Sequence, residues 1–100
     1  MNECCECQKH KNHPRSQDEI NNIKARLNKV IGQLRGIDKM IDDNRYCGDI
    51  INQIGAATNA LNQIGYIVLK THLDTCVRDD MISGKDGVVE ETISLMKNLK

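Results

Sequence analysis

The feature that most constrains this chain is an apolar seam with heptad spacing that recurs in two successive segments. In the first, Ile20, Ile23, Leu27, Val30, Leu34, Ile37 and Ile41 follow one another at spacings of 3-4-3-4-3-4. In the second, Cys47, Ile50, Ile54, Ala57, Leu61, Ile64 and Val68 repeat that rhythm. Positions spaced in this way stay on one side of an α-helix, so each segment presents an apolar seam to another helix. No useful length of chain alternates apolar and polar residues with period two, which argues against a sheet. The expected class is all-α.

Local signals place the ends of the helices. Ser16-Gln17-Asp18-Glu19 has the S-x-x-E form of a capping box, which starts the first helix near Gln17, and the polar run Asp42-Asp43-Asn44-Arg45 ends it. The second helix is predicted from about Tyr46 to Ile82, long for a globular helix and suited to packing on another molecule. Gly55, Ala56, Ala57 and Ala60 place small side chains in its middle, where two backbones can approach closely. Ser83-Gly84-Lys85-Asp86-Gly87 reads as a turn, followed by a third helix with Val88, Val89, Ile93, Met96 and Leu99 on its inner side. Residues 1–15 are polar, rich in Cys and His, and contain the one proline, Pro14; they read as a flexible arm ahead of a helical domain over 16–100.

Composition narrows the function. One hundred residues without Phe or Trp make a single small domain with an aliphatic core, which gains much from oligomerisation. No apolar run approaches the roughly 18 residues of a membrane span, and the polar N-terminus is no signal peptide, so a cytoplasmic protein with no membrane partner is expected. Five cysteines in such a chain point to thiols used for metal or redox chemistry rather than to a disulfide scaffold. No Walker motif, dinucleotide fingerprint or base–nucleophile pair is present, so an enzyme is not expected. The net charge is zero, but it is unevenly spread: residues 14–40 carry a net +3 and residues 71–100 a net −2, which permits a basic face.

The cysteines and histidines carry the chemistry. His72 and Cys76 are four residues apart on a predicted helix and share a face. Cys47 precedes His72 by 25 residues, about 37 Å along one helix and beyond the reach of a shared ligand. Two such helices packed antiparallel bring Cys47 of one chain beside His72 and Cys76 of the other. The resulting S,S,N site exists only between subunits and suits a soft ion such as Cu(I). Cys4, Cys5, Cys7, His10 and His13 crowd a second set of donors into the arm, as an accessory Zn(II) or Cu(I) site, a source of a fourth ligand, or a tail with no role.

With these residues in view, the chain resembles the copper-sensing repressors of the copper-sensitive-operon-repressor and nickel/cobalt-repressor family. The likeness runs from Ile20 to Leu99. It rests on Arg26-Leu27-Asn28-Lys29-Val30-Ile31-Gly32-Gln33-Leu34-Arg35-Gly36-Ile37, on Tyr46-Cys47, Gln53-Ile54-x-Ala56 and Ala60-Leu61, and on His72-x-x-x-Cys76. The resemblance implies a three-helix protomer with a long central helix, an antiparallel helical-bundle dimer, and a tetramer that binds operator DNA without metal and releases it on Cu(I) binding. It also implies that Tyr46 and a helix-three glutamate, Glu91 with its neighbour Glu90 as the alternative, hydrogen-bond the His72 nitrogen not used for metal, an arrangement common around ligating imidazoles. Copper sensors of this kind often carry further arginines on the first half of helix two; here that stretch offers Gly55, Thr58 and Asn59. The DNA-facing charge then rests on Lys24, Arg26, Lys29 and Arg35. A different class, a cytosolic metal buffer or chaperone without DNA binding, is favoured by the arm and opposed by the basic first helix. Within the family, a persulfide sensor would lack the histidine, and nickel/cobalt and formaldehyde sensors would lack Cys76 in this role.

Overall fold

The computed structural model describes residues 14–84 and 86–99; the arm residues Cys4, Cys5, Cys7, His10 and His13 lie outside them. Helix α1 spans Gln17–Asp42 and α2 spans Cys47–His72. From His72 the chain continues without a break through a π-helical turn, Leu73–Val77, into α3, Arg78–Ile82, and α4 follows over Val88–Met96. The architecture is all-α, with no strand among the described residues and one long central rod from Cys47 to Ile82.

The ends of the helices follow from local chemistry. Ser16 caps α1, its Oγ accepting from the Glu19 backbone N–H at 3.1 Å, and Asp18 and Glu19 place negative charge at the positive end of the helix dipole. Glu19 Oε2 also lies 3.2 Å from Arg15 Nε. Between α1 and α2 the chain reverses through Asn44 at φ 53°, a left-handed conformation that asparagine tolerates better than most residues. Gly84 and Gly87, at φ 77° and 78°, make the turn into α4, where a side chain would be strained.

α1 and α2 pack antiparallel, and the packing divides each seam into two rows. Val30, Ala57 and Ile64 are 3%, 4% and 7% exposed. Ile23, Ile37 and Ile50, one heptad away from these residues, are half-buried. The alternate row stays open: Leu34 and Ile41 on α1 are 51% and 56% exposed, and Ile54 and Leu61 on α2 are 48% and 46%. Cys47 opens that exposed row, seven residues before Ile54. The chain is correspondingly elongated, 55 × 28 × 23 Å with a radius of gyration of 17.2 Å, against about 13 Å for a compact domain of this length.

α4 differs from the sequence expectation. Val88 and Leu99 turn inward as expected, but the buried partner on the helix is Thr92, whereas Val89, Ile93 and Met96 face outward, each about half exposed. Thr92 can occupy the inner face because its hydroxyl donates to the Val88 carbonyl at 2.8 Å, leaving only its methyl group to pack. Leu99 seats on Gly65, where an added Cβ would stand 2.5 Å from Leu99 Cδ2; the glycine is a landing place for the C-terminal segment. No described helix is long and apolar enough to cross a membrane.

Ala57 is small where α2 meets α1. Ala57→Leu is expected to overpack this contact and lower unfolding stability by about 1–3 kcal/mol, read from urea denaturation. A neutral result would show that the two helices do not close on this residue.

Candidate metal centre and nucleic-acid face

His72 ends α2 and Cys76 lies in the π-helical turn that follows, both half-buried. The sequence reading treated this stretch as continuous α-helix. A π turn widens the helix by one residue and occurs frequently at functional sites. Two threonines bond back to the chain at this point, as Thr58 does within the regular part of α2, so the pair does not by itself mark the turn. Thr71 Oγ1 donates to the Ile67 carbonyl at 3.3 Å, and Thr75 Oγ1 to the Thr71 carbonyl at 2.7 Å. Such back-bonding competes with the regular ladder and perturbs the helix locally. Thr75 Oγ1 is also 3.6 Å from Cys76 Sγ, so the side chain that braces the turn touches a candidate ligand.

Cys47 is exposed at the first position of α2, immediately after the N-cap residue Tyr46. The 26-residue helix separates it from His72, about 37 Å at 1.5 Å per residue. The structure therefore brings His72 and Cys76 together and leaves Cys47 at the opposite end. Among the described residues of one chain, no three His, Cys, Asp or Glu side chains form a group that could hold a metal. Tyr46 shares the Cys47 end; its ring lies over Gly48, where a Cβ would stand 2.5 Å from Cε2, and it is otherwise open to solvent.

At the other end, His72 and Glu91 line one small cavity of about 20 Å³, together with Asp80, Asp86, Val77 and Thr92. Glu90 lies apart from it, on a surface shared with Met81 and Gly84. Of the two glutamates, Glu91 is the one placed on the histidine side. Asp80 and Asp86 were not anticipated as neighbours of His72, because they reach it only through the turn that folds α4 back on the rod.

The four candidate DNA-contacting cations are all exposed but do not share one face. Arg26 and Lys29 line a groove of about 490 Å³ between α1 and α2, with Asn22, Gln33, Asn59 and Gln63. Arg26 Nε donates to Asn22 Oδ1 at 3.2 Å, which steadies the guanidinium at the groove wall. Lys24 and Arg35, eleven residues apart and so on a common face, project about 160° around the helix from Arg26. Asn59 entered the sequence analysis only as standing where related sensors carry arginines, and Gln63 was not singled out; neutral amides on a polar helix face carry little signal until a cation-bearing helix is found beside them.

Residues 19–98 match the model of a protein family described as metal-sensitive transcriptional repressors. The chain belongs to this family. It is 38% identical over 91 residues to the copper-sensing transcriptional repressor CsoR of Bacillus subtilis, covering 87% of each chain. It is 41% identical over 66 residues to the copper-sensing repressor RicR of Mycobacterium tuberculosis, covering 66% of this chain and 69% of that one. Its fold matches the crystal structure of the copper-sensing repressor CsoR with Cu(I) from Geobacillus thermodenitrificans, with a TM-score of 0.79 and 38% identity over 91% of this chain and 96% of that one. The nickel-responsive regulator InrS shares the fold at a TM-score of 0.68 and 24% identity, covering 88% of this chain and 100% of that one. The family is one of transcriptional repressors and not an enzyme class.

In this metal-sensitive repressor the brace at the π turn is testable apart from function. Thr75→Val keeps the side-chain shape but removes the hydroxyl that meets the Thr71 carbonyl. It is expected to lower stability by about 1 kcal/mol in urea unfolding. An unchanged midpoint would remove Thr75 from the account of the turn.

Proposed function

We propose that this protein is a Cu(I)-responsive repressor, cytoplasmic with the DNA it binds. It binds operator DNA in the metal-free form and leaves it when Cu(I) occupies sites built from Cys47 of one protomer and His72 and Cys76 of the partner subunit. One observation carries the reading: Cys47 stands at one end of an exposed apolar row on α2, and His72 and Cys76 stand at the other end of the same rod. Antiparallel pairing of two copies along that row covers Ile54 and Leu61 and brings opposite ends together, so assembly and site completion are one event. Each large apolar side chain taken from half exposure to full burial adds a fraction of the roughly 1.5–3 kcal/mol that complete burial is worth. The outward row Val89, Ile93 and Met96 on α4 offers a second apolar surface through which such dimers assemble into tetramers.

The donor set fits the metal. Two thiolates and one imidazole make a soft site of low coordination number, and the relatives at 38–41% identity are named for copper sensing. Cu(I), when bound, supplies a cation that draws the two cysteines and His72 to one point. The remaining work belongs to the chain. His72, with one ring nitrogen directed to the metal, donates its other N–H toward Glu91 across the shared cavity, with Tyr46 of the other protomer approaching from the Cys47 end. Glu91 is on α4, so occupancy at His72 shifts how α4 lies against the rod. A coupling free energy of about 1–3 kcal/mol between this contact and the DNA-binding arrangement is enough for a repressor switch. Arg26 and Lys29, and on the other side of α1 Lys24 and Arg35, supply the phosphate contacts.

The direct test is fluorescence anisotropy of the metal-free protein on duplex DNA from its own promoter, repeated with Cu(I). Binding reversed by copper is expected; no binding in the metal-free form would leave a metal buffer or chaperone as the better reading. The shared site has its own test. Cys47→Ala and Cys76→Ala should each abolish high-affinity Cu(I) binding. After unfolding and refolding together, the two variants should recover about a quarter of the wild-type sites, because half the pairs are mixed and each mixed pair has one intact site. No recovery would mean that the ligands come from a single chain.

The relay through α4 makes a paired prediction. Glu91→Ala should retain Cu(I) binding yet lose most copper-induced release from DNA, whereas Glu90→Ala should behave as wild type. The opposite pattern would transfer the coupling to Glu90.

A further inference from the structure

The groove between α1 and α2 contains more than its two cations. Its long side chains on α1 are Asn22, Arg26, Lys29 and Gln33, at spacings of 4-3-4, which keeps them on one stripe. Asn59 and Gln63 on α2, again four apart, face them. Ala25 and Ala60 are the remaining lining residues, so the wall holds four amides, two cations and no carboxylate, in a chain with as many acidic as basic residues. The α1 stripe runs eleven helical steps from Asn22 to Gln33, about 16 Å, which matches roughly five base-pair steps at 3.4 Å.

Under the proposed pairing of protomers this face stays open. Asn59 and Gln63 each lie two residues from Leu61, which places them about 160° around α2 from the exposed apolar row. Lys29 stands in the same relation to Leu27 on α1. With the apolar row assigned to the proposed partner copy, the amide-lined groove is turned away from that contact.

We propose that the amides of this groove, Asn59 and Gln63 above all, are the sequence-reading part of the DNA surface, with Arg26 and Lys29 anchoring the backbone beside them. The proposal rests on the repressor reading and deepens it. Phosphate contacts from cations hold any DNA and weaken as salt displaces them, whereas a neutral amide releases no counterion and adds nothing to the salt slope. Asn and Gln present a donor and an acceptor side by side, which matches N6 and N7 of adenine in the major groove. A groove with only two cations and four amides per protomer therefore suits a protein whose preference for its operator depends on base contacts to A·T pairs more than on charge.

The experiment compares the full-length, metal-free protein on promoter duplex and on a scrambled duplex of equal length and composition, across a range of salt. For Asn59→Ala/Gln63→Ala, the ratio of the two affinities should fall at least roughly ten-fold with an unchanged salt slope, since each amide–adenine pair contributes to discrimination and not to ion release. Gln63→Lys should bind both duplexes more tightly, with a steeper salt dependence and a smaller ratio. Both positions are exposed, so the fold should tolerate either change. A ratio that survives the double substitution overturns the proposal, as does a change in oligomeric state by sedimentation, which would make the groove a subunit contact. Wild-type protein that does not distinguish the two duplexes overturns the repressor reading itself, and is told apart from the first result by the wild-type control.

Discussion

A heptad seam has two rows, and each long helix of this repressor satisfies only one of them within its own chain. Val30, Ala57 and Ile64 close the α1–α2 contact, while Leu34, Ile41, Ile54 and Leu61 remain about half exposed on the other side. The elongated shape follows from the same division, because two long helices side by side cannot bury both faces. A hundred-residue chain with few bulky side chains gains little from one row alone, and the proposed pairing with a second copy supplies the burial that the single chain lacks. Under the proposed function the same unpaired row carries Cys47 toward the histidine and cysteine it cannot reach by itself.

The His72 end of the rod is built differently from its middle. Where the middle is a regular α-helix with small residues, the stretch after His72 widens into a π turn braced by Thr71 and Thr75. The turn holds Cys76, and α4 folds back to place Glu91, with Asp80 and Asp86, around a cavity shared with His72. α4 is fastened by few buried side chains, Val88, Thr92 and the seat of Leu99 on Gly65. An element held by few buried side chains can be shifted by a modest interaction energy, as the output of a sensor requires.

Charge and polarity divide the surface in the same sense. The amide-lined groove is turned away from the exposed apolar row, so under the proposed function pairing with a second copy leaves the groove free for DNA. Lys24 and Arg35 lie outside the groove that contains Arg26 and Lys29, so the four cations expected to act together serve two distinct faces.

What the sequence determined by itself is periodic or local. The heptad spacing dictated helices and ruled out a sheet, Ser16 marked the start of α1, the glycines marked the turn before α4, and His72-x-x-x-Cys76 with a distant Cys47 marked a candidate ligand set that one straight helix cannot bring together. Rotation was not legible. The two rows of a seam are equally apolar, so nothing in their spacing says that Val30 faces inward and Leu34 outward, and the apolar count on α4 favoured Val89 and Ile93 over Thr92, whose hydroxyl needed only the Val88 carbonyl to be buried. The placing of Glu91 rather than Glu90 beside His72, and of Asn59 beside Arg26, likewise depends on how one helix is turned against another. That angle is set by side-chain packing summed over the whole contact, and only the tertiary structure contains that sum.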